Sequence, residues 1–314
     1  MLTLAYSIGC AFGRWDIRIG RDPSLAPSLP GPFDPLPLCP PGTLVGPDGL
    51  PARSAGIASE AWRCSRPDTG TLPQGPVTPD TIPDDTYPMR VRWTGLLVDD
   101  EGHPDDIVRC VSEAFTVLFG ERSEAFLREA CSIFRVRDLR DHFRKASGFF
   151  AAHLRRYSKK PRKAPIYWLL QSPRRHYAIW LYYPRLDGDL LFKGLQSYVE
   201  PKLRGVEQRL QELHGAVARA ADTRARRQAE RAVERQEEML ADIREFRRRL
   251  VTVAELHLQP DLDDGVCLNA APLHDLMPWQ ESGRYWKELL QGKHPWSRVG
   301  ARIHERVRAR VQLP

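Results

Sequence analysis

The chain has 314 residues, 42% apolar and 28% charged, which is too apolar for wholesale disorder and fits a folded protein. Its formal net charge of +7 suits a partner rich in phosphate. Six scattered cysteines, Cys10, Cys39, Cys64, Cys110, Cys131 and Cys267, form no Cys-x-x-Cys pair; this argues against a zinc ribbon or a disulfide scaffold and for reduced thiols in a cytoplasmic protein.

The first element expected is a helix over 2–15, with Leu4, Ile8, Ala11, Phe12 and Trp15 at helical spacing. LTLAYSIGCAF is too short to span a bilayer and lacks a basic run before it, so no membrane partner is expected. This 1–20 segment reads as the end of a core that lies upstream. Residues 21–90 are dense in Pro and Gly, which remove amide donors and fix φ, so neither helix nor central strand runs through them. Phe33, Leu36 and Leu38 offer anchors for an extended segment draped over a surface.

Residues 91–200 read as an α/β body. A strand is expected over 91–98, then a helix opened by Asp105-Asp106 and ended by Gly120, then helices near 121–134 and 136–152. The stretch 153–183 follows. It holds a basic run with Arg155, Arg156, Tyr157, Lys159, Lys160, Arg162 and Lys163, an apolar IYWLL, a turn at Ser172-Pro173-Arg174-Arg175 and an apolar HYAIWLYY. No acid falls between His153 and Tyr183, so the spacing predicts a buried hairpin whose two ends are both positive. Those eight cations, with Tyr157, are the expected binding residues for a polyanion such as DNA, the alternative being a solvated loop of charges beside an ordinary core hairpin; Tyr157, Tyr167 and Trp168 are candidates for base stacking, although strand aromatics usually belong to a core. A further helix is expected over Asp187–Val199, ended by Glu200-Pro201.

Residues 201–257 change regime, with no proline between 202 and 256. Leu203, Val206, Leu210, Leu213, Val217 and Ala220 form one coiled-coil-like seam, and Val233, Gln236, Leu240, Ile243 and Phe246 a second. The register falters at Asp222-Thr223, where Asp suits an N-cap, so an antiparallel helical hairpin is preferred to one long rod. Its middle, RARRQAERAVERQ, alternates with Glu and reads as a solvated face. The tail, 258–314, should dock back through Met277-Pro278-Trp279 and Trp286 and end in a basic helix from Ser297. The fold class expected is therefore mainly α with a small β component: a helical body, a short β-hairpin and the long helical hairpin.

No phosphate-cradling GxxxxGK[ST] loop, GxGxxG turn or HExxH pair is present, and Asp263-Asp264-Gly265 reads as a tight turn. No catalytic or metal-ligating residues are assigned. Several blocks, however, carry a resemblance: SIGCAFGRWDIR (7–18), FDPLPLCPPGTL (33–44), HPDDIVRCVSEAFTVLFG (103–120), SGFFAAHLRRYSKKPRKAPIYWLLQS (147–172), WLYYPRL (180–186) and DLDDGVCLNAAPLHDLMPW (261–279). In this order they resemble the region downstream of the catalytic domain in large bacterial DNA adenine methyltransferases of restriction–modification and phage-defence systems, including the PglX-type enzymes of bacteriophage exclusion (BREX) and relatives in DISARM. The resemblance implies S-adenosylmethionine-dependent methylation of the adenine exocyclic amine by the complete enzyme. That chemistry needs a cofactor loop and an (Asn/Asp)-Pro-Pro-Tyr base grip. Pro40-Pro41 sits instead as Cys-Pro-Pro-Gly, so no cofactor is expected on this chain and it should be inactive alone. The expected partners are double-stranded DNA and, beside it, a separate catalytic chain or other defence subunits. The alternative is a protein–protein adaptor acting through the helical hairpin.

Overall fold

Burial of apolar stripes organises two separate bodies, one built from the described parts of Met1–Trp93 and Pro104–Leu139, the other from Thr94–His103 and Arg140–Pro314. The structure, a computed structural model, describes residues 1–26, 41–42, 86–159, 162–261 and 263–311. The proline-rich stretch with Phe33, Leu36 and Leu38 lies outside them.

In the first body, α1 (Leu2–Ala11) buries Leu4, Ile8 and Cys10. The helix stops at Ala11 rather than at residue 15: Gly13 takes φ +70°, and the Arg14 amide turns back to the Gly9 carbonyl at 2.7 Å. Trp15 is consequently exposed. α2 (Ile107–Phe119) begins as expected, with Asp106 accepting from the Arg109 amide at 3.2 Å, and ends at Gly120, φ +57°. α3 (Ser123–Phe134) follows. The strand expected from residue 91 begins later, because buried Arg92 is drawn to Glu113 at 2.9 Å and its amide to the Ala11 carbonyl at 2.7 Å.

The second body is built on a three-stranded antiparallel sheet. Its first strand is β1 (Leu96–Val98). α4 (Leu139–Arg144) and α5 (Phe149–Arg156) replace the single helix expected over 136–152. They are split at Gly148, which lies so close to the His142 carbonyl that no Cβ fits between them. A two-stranded ribbon, β2 (Ser158–Lys159) with β3 (Arg162–Lys163), leads into β4 (Tyr167–Gln171) and β5 (Ala178–Tyr182). The sheet order is β1-β5-β4, with Val98 opposite Ile179 and Gln171 opposite Ala178. Trp180 meets Phe143, Phe149 and Phe150 edge-on, and Leu96 and Ile179 lie against Gly194. Covered on both sides, these strands read as continuous apolar runs rather than alternating ones.

Glu200-Pro201 does not end the next helix. α6 (Leu190–Gly194) passes through one π turn, Leu195–Val199, directly into α7 (Glu200–Ala218). A proline clashes with the carbonyl four residues back in a regular helix; the wider π turn lies where that clash would fall. The reversal falls where the seam faltered. Asp222 caps α8 (Thr223–Ala254) by accepting from the Ala225 amide at 2.7 Å. Pairs Glu200–Arg247 (2.5 Å), Glu207–Arg244 (2.7 Å) and His214–Glu237 (3.9 Å) step in opposite directions along the two helices, so α7 and α8 are antiparallel.

The tail docks on the sheet edge beside β4, where the Gln171 amide donates to the Leu276 carbonyl at 2.8 Å. α9 (Gly265–Ala270), α10 (Gln280–Leu290) and α11 (Arg298–Val311) bury Leu268, Leu289, Val299 and Ile303 together. Ser297 caps α11, accepting from the Gly300 amide at 2.8 Å. The Asp261–Gly265 turn anchors it too: Asp264 accepts from the Arg298 amide at 2.9 Å. No group of three or more His, Cys, Asp or Glu placed to hold a metal occurs among the described residues. No helix among the described residues is long and apolar enough to cross a membrane.

Candidate nucleic-acid interface

The predicted cations fall into two groups at opposite ends of β4. The first starts on α5, whose buried face is Phe149, Phe150 and His153. Arg155 and Arg156 occupy its last turn, exposed, where the helix macrodipole favours positive charge. Neither makes an ion pair among the described residues. Tyr157 follows, half-buried against His153 with ring centroids 4.6 Å apart. The chain then enters the β2–β3 ribbon, in which Ser158 is opposite Lys163 and Lys159 opposite Arg162. Lys160 lies outside the described residues. The backbone therefore gathers Arg155, Arg156, Lys159, Arg162 and Lys163 into one short stretch at the start of β4.

His153 fixes that stretch. Its Nε2 accepts from both the Ile166 and Tyr167 amides at 3.1 Å, and its ring stacks on Tyr167 at 4.8 Å. A histidine used this way is a structural acceptor, and the fork it makes ties α5 to the start of β4. Tyr167 and Trp168 are wholly buried, Trp168 donating from Nε1 to the Pro165 carbonyl at 2.9 Å, so neither is placed to stack on a base.

The second group lies beyond the far end of β4, a strand of five residues rising about 3.3 Å each. Here the turn is held by a residue that the sequence pattern did not reveal, Asp242 of α8. Its carboxylate, 4% exposed, accepts from Ser172 Oγ at 2.6 Å, the Arg174 amide at 2.8 Å, the His176 amide at 3.2 Å and His176 Nδ1 at 3.0 Å. Burial pushes its pKa up, but the hydrogen bonds from Ser172, Arg174 and His176 outweigh burial and leave it below the usual carboxylate value. Arg174 and Arg175 project from this turn, exposed, and Arg175 takes φ +66°. Arg174 is 3.7 Å from Glu238, an acid that is distant in sequence and reaches the turn only through the fold.

No family model matches the chain. At the level of class, it is similar to adenine-specific methyltransferases. It is 24% identical over 196 residues to the adenine-specific methyltransferase BrxX of Escherichia coli O9:H4 (strain HS), covering 58% of this chain and 16% of that protein. It is 28% identical over 190 residues to the adenine-specific methyltransferase PglX of Lacticaseibacillus casei (strain Zhang), covering 56% of this chain and 15% of that protein. The matched part of the chain thus spans about a sixth of the length of these relatives.

Proposed function

We propose that this chain is the DNA-engaging, non-catalytic C-terminal part of a site-specific adenine-N6 methyltransferase of a phage-defence or restriction–modification system. It binds double-stranded DNA through backbone phosphates, and methyl transfer with S-adenosylmethionine belongs to a catalytic domain carried elsewhere in the enzyme. The similarity to two adenine-specific methyltransferases supports the family. The observation that carries the DNA reading is the end of α5: two exposed arginines without acidic partners among the described residues, running directly into a ribbon whose sequence adds Lys159, Lys160, Arg162 and Lys163. Phosphate contacts of this kind position a protein on a duplex without reading sequence.

The test is a salt titration of duplex binding by the chain and by a Lys159→Ala, Lys160→Ala, Arg162→Ala, Lys163→Ala variant shown by circular dichroism to be folded. If about six cations meet phosphates, log affinity falls against log salt with a slope near −5, and the variant flattens that slope by roughly 3 to 4. An unchanged slope in the folded variant would mean that the ribbon's charges are merely solvated.

A further inference from the structure

The arginines of α8 are sorted by position. Arg226 meets Glu230 at 3.0 Å and Arg244 meets Glu207 at 2.7 Å; Arg247 meets Glu200 at 2.5 Å, while Arg248 and Arg249 share Glu245 at 2.7 Å. Arg224, Arg227, Arg231 and Arg235 make no ion pair among the described residues, though Glu234 and Glu237 lie on the same helix. All four are exposed, and their side chains line one groove with Thr223 and Gln228.

Their spacing shows what this face is. Steps of seven, four and seven residues return to the same side of an α-helix, so Arg224, Arg231, Arg235 and Asp242 share one face. At Asp242 that face is covered by the turn Ser172–His176. Toward the start of α8 it is bare, and bare where it is most basic. Arg174 reaches back along it to Glu238, one turn from Arg235. Arg174, with Arg175 beside it in the same turn, therefore lies toward the α8 stripe and not at the ribbon end of β4.

We propose that Arg224, Arg227, Arg231 and Arg235, extended by Arg174 and Arg175, form a second phosphate-binding site that holds the backbone of duplex DNA. The proposal rests on the DNA reading above and adds to it a site independent of the ribbon. The stripe from residue 224 to 235 is about 16 Å long at 1.5 Å per residue, long enough to face more than one phosphate of a duplex. Guanidinium groups suit this role because their planar donors meet phosphate oxygens in pairs. The helix itself needs none of the four for packing, since its seam is Val233, Leu240, Ile243 and Phe246.

The experiment compares salt slopes for duplex binding by the full chain and four folded variants. The stripe variant is Arg224→Gln, Arg227→Gln, Arg231→Gln, Arg235→Gln, and glutamine keeps helix propensity. A second variant places Lys at the same four positions. A third, Arg226→Gln, Arg244→Gln, Arg248→Gln, removes arginines that already have glutamates. The ribbon variant is the fourth. With both sites engaged about ten cations meet phosphates and the wild-type slope is expected near −9; the stripe variant is expected to flatten it by about 3 to 4, the lysine variant to keep it, and the glutamate-paired control to change it by less than about 1. Flattening by the stripe variant alone, with the ribbon variant unchanged, upholds this site and removes the ribbon from the DNA reading. Flattening by the ribbon variant alone overturns this site and leaves that reading standing. An equal loss per charge in the control also overturns it, as a general charge effect. A stripe that binds polyglutamate while no variant or wild-type chain binds DNA overturns both and points to an acidic protein partner.

Discussion

Asp242 holds the Ser172–His176 turn and Gly148 allows the break between α4 and α5, and each has a measurable consequence. Removing Asp242, which is buried, strands donors from Ser172 Oγ and the partly buried Arg174 and His176 amides. Bonds to a charged acceptor contribute about 1.5–3 kcal/mol each at most, and they are not additive. Asp242→Ala should therefore cost roughly 3 kcal/mol in urea unfolding. Because the folded-state pKa of Asp242 is depressed, its contribution is complete above the unfolded carboxylate pKa and disappears as pH falls through the folded one. Wild type and Asp242→Ala should thus converge in stability on acidification below about pH 4; a gap that stays constant down to pH 2 would show that ionisation is not the source. Gly148→Ala, which drives a Cβ into the His142 carbonyl, should cost about 2–3 kcal/mol. Neither residue stood out in the sequence. Asp242 looks like one more acid on a charged helix, and its partners are about 70 residues away, so only the fold makes it the centre of a turn.

The helical hairpin was legible because its signals are local. Two seams at three-and-four spacing and an aspartate at the break determine two helices and a cap without reference to the rest of the chain, and the apolar runs around Ser172-Pro173 likewise mark β4 and β5. What escaped were boundaries decided by tertiary contact: the late start of β1, the division at Gly148 and the continuation through Pro201. The hairpin is unevenly held. Phe246 is fully buried and meets Tyr177 edge-on at 5.9 Å, whereas α8 before residue 229 is exposed throughout. Phe246→Ala should cost about 3–5 kcal/mol and Val217→Ala, half-buried near the reversal, no more than about 1. Amides of 223–232 should exchange hydrogen faster than those of 240–254, and uniform protection along α8 would refute this gradient.

At the scale of the whole molecule, the division of labour is the claim to test. The sequence shows neither a cofactor loop nor a base-gripping motif, so the chain alone should give no heat with S-adenosylmethionine in calorimetry and no label transfer in a tritiated-methyl assay; turnover by the purified chain would displace the proposal. All eight predicted cations lie in one acid-free run; the backbone gathers Arg155, Arg156, Lys159, Arg162 and Lys163 at the end of α5 and leaves Arg174 and Arg175 at the far end of β4. The arginine stripe of α8 was not legible, because alternation with glutamate in sequence conceals that Arg224, Arg227, Arg231 and Arg235 line one groove with no ion pair among the described residues.

The most direct measurement is the affinity of the unmodified chain for a labelled duplex between 50 and 200 mM salt. Engagement of phosphates by the six cations at the α5 end and ribbon alone requires a loss of roughly a thousandfold across that range, and the α8 site would add to it. An affinity that stays level, or no binding at the lowest salt, would contradict a DNA-engaging role and leave the chain as an adaptor.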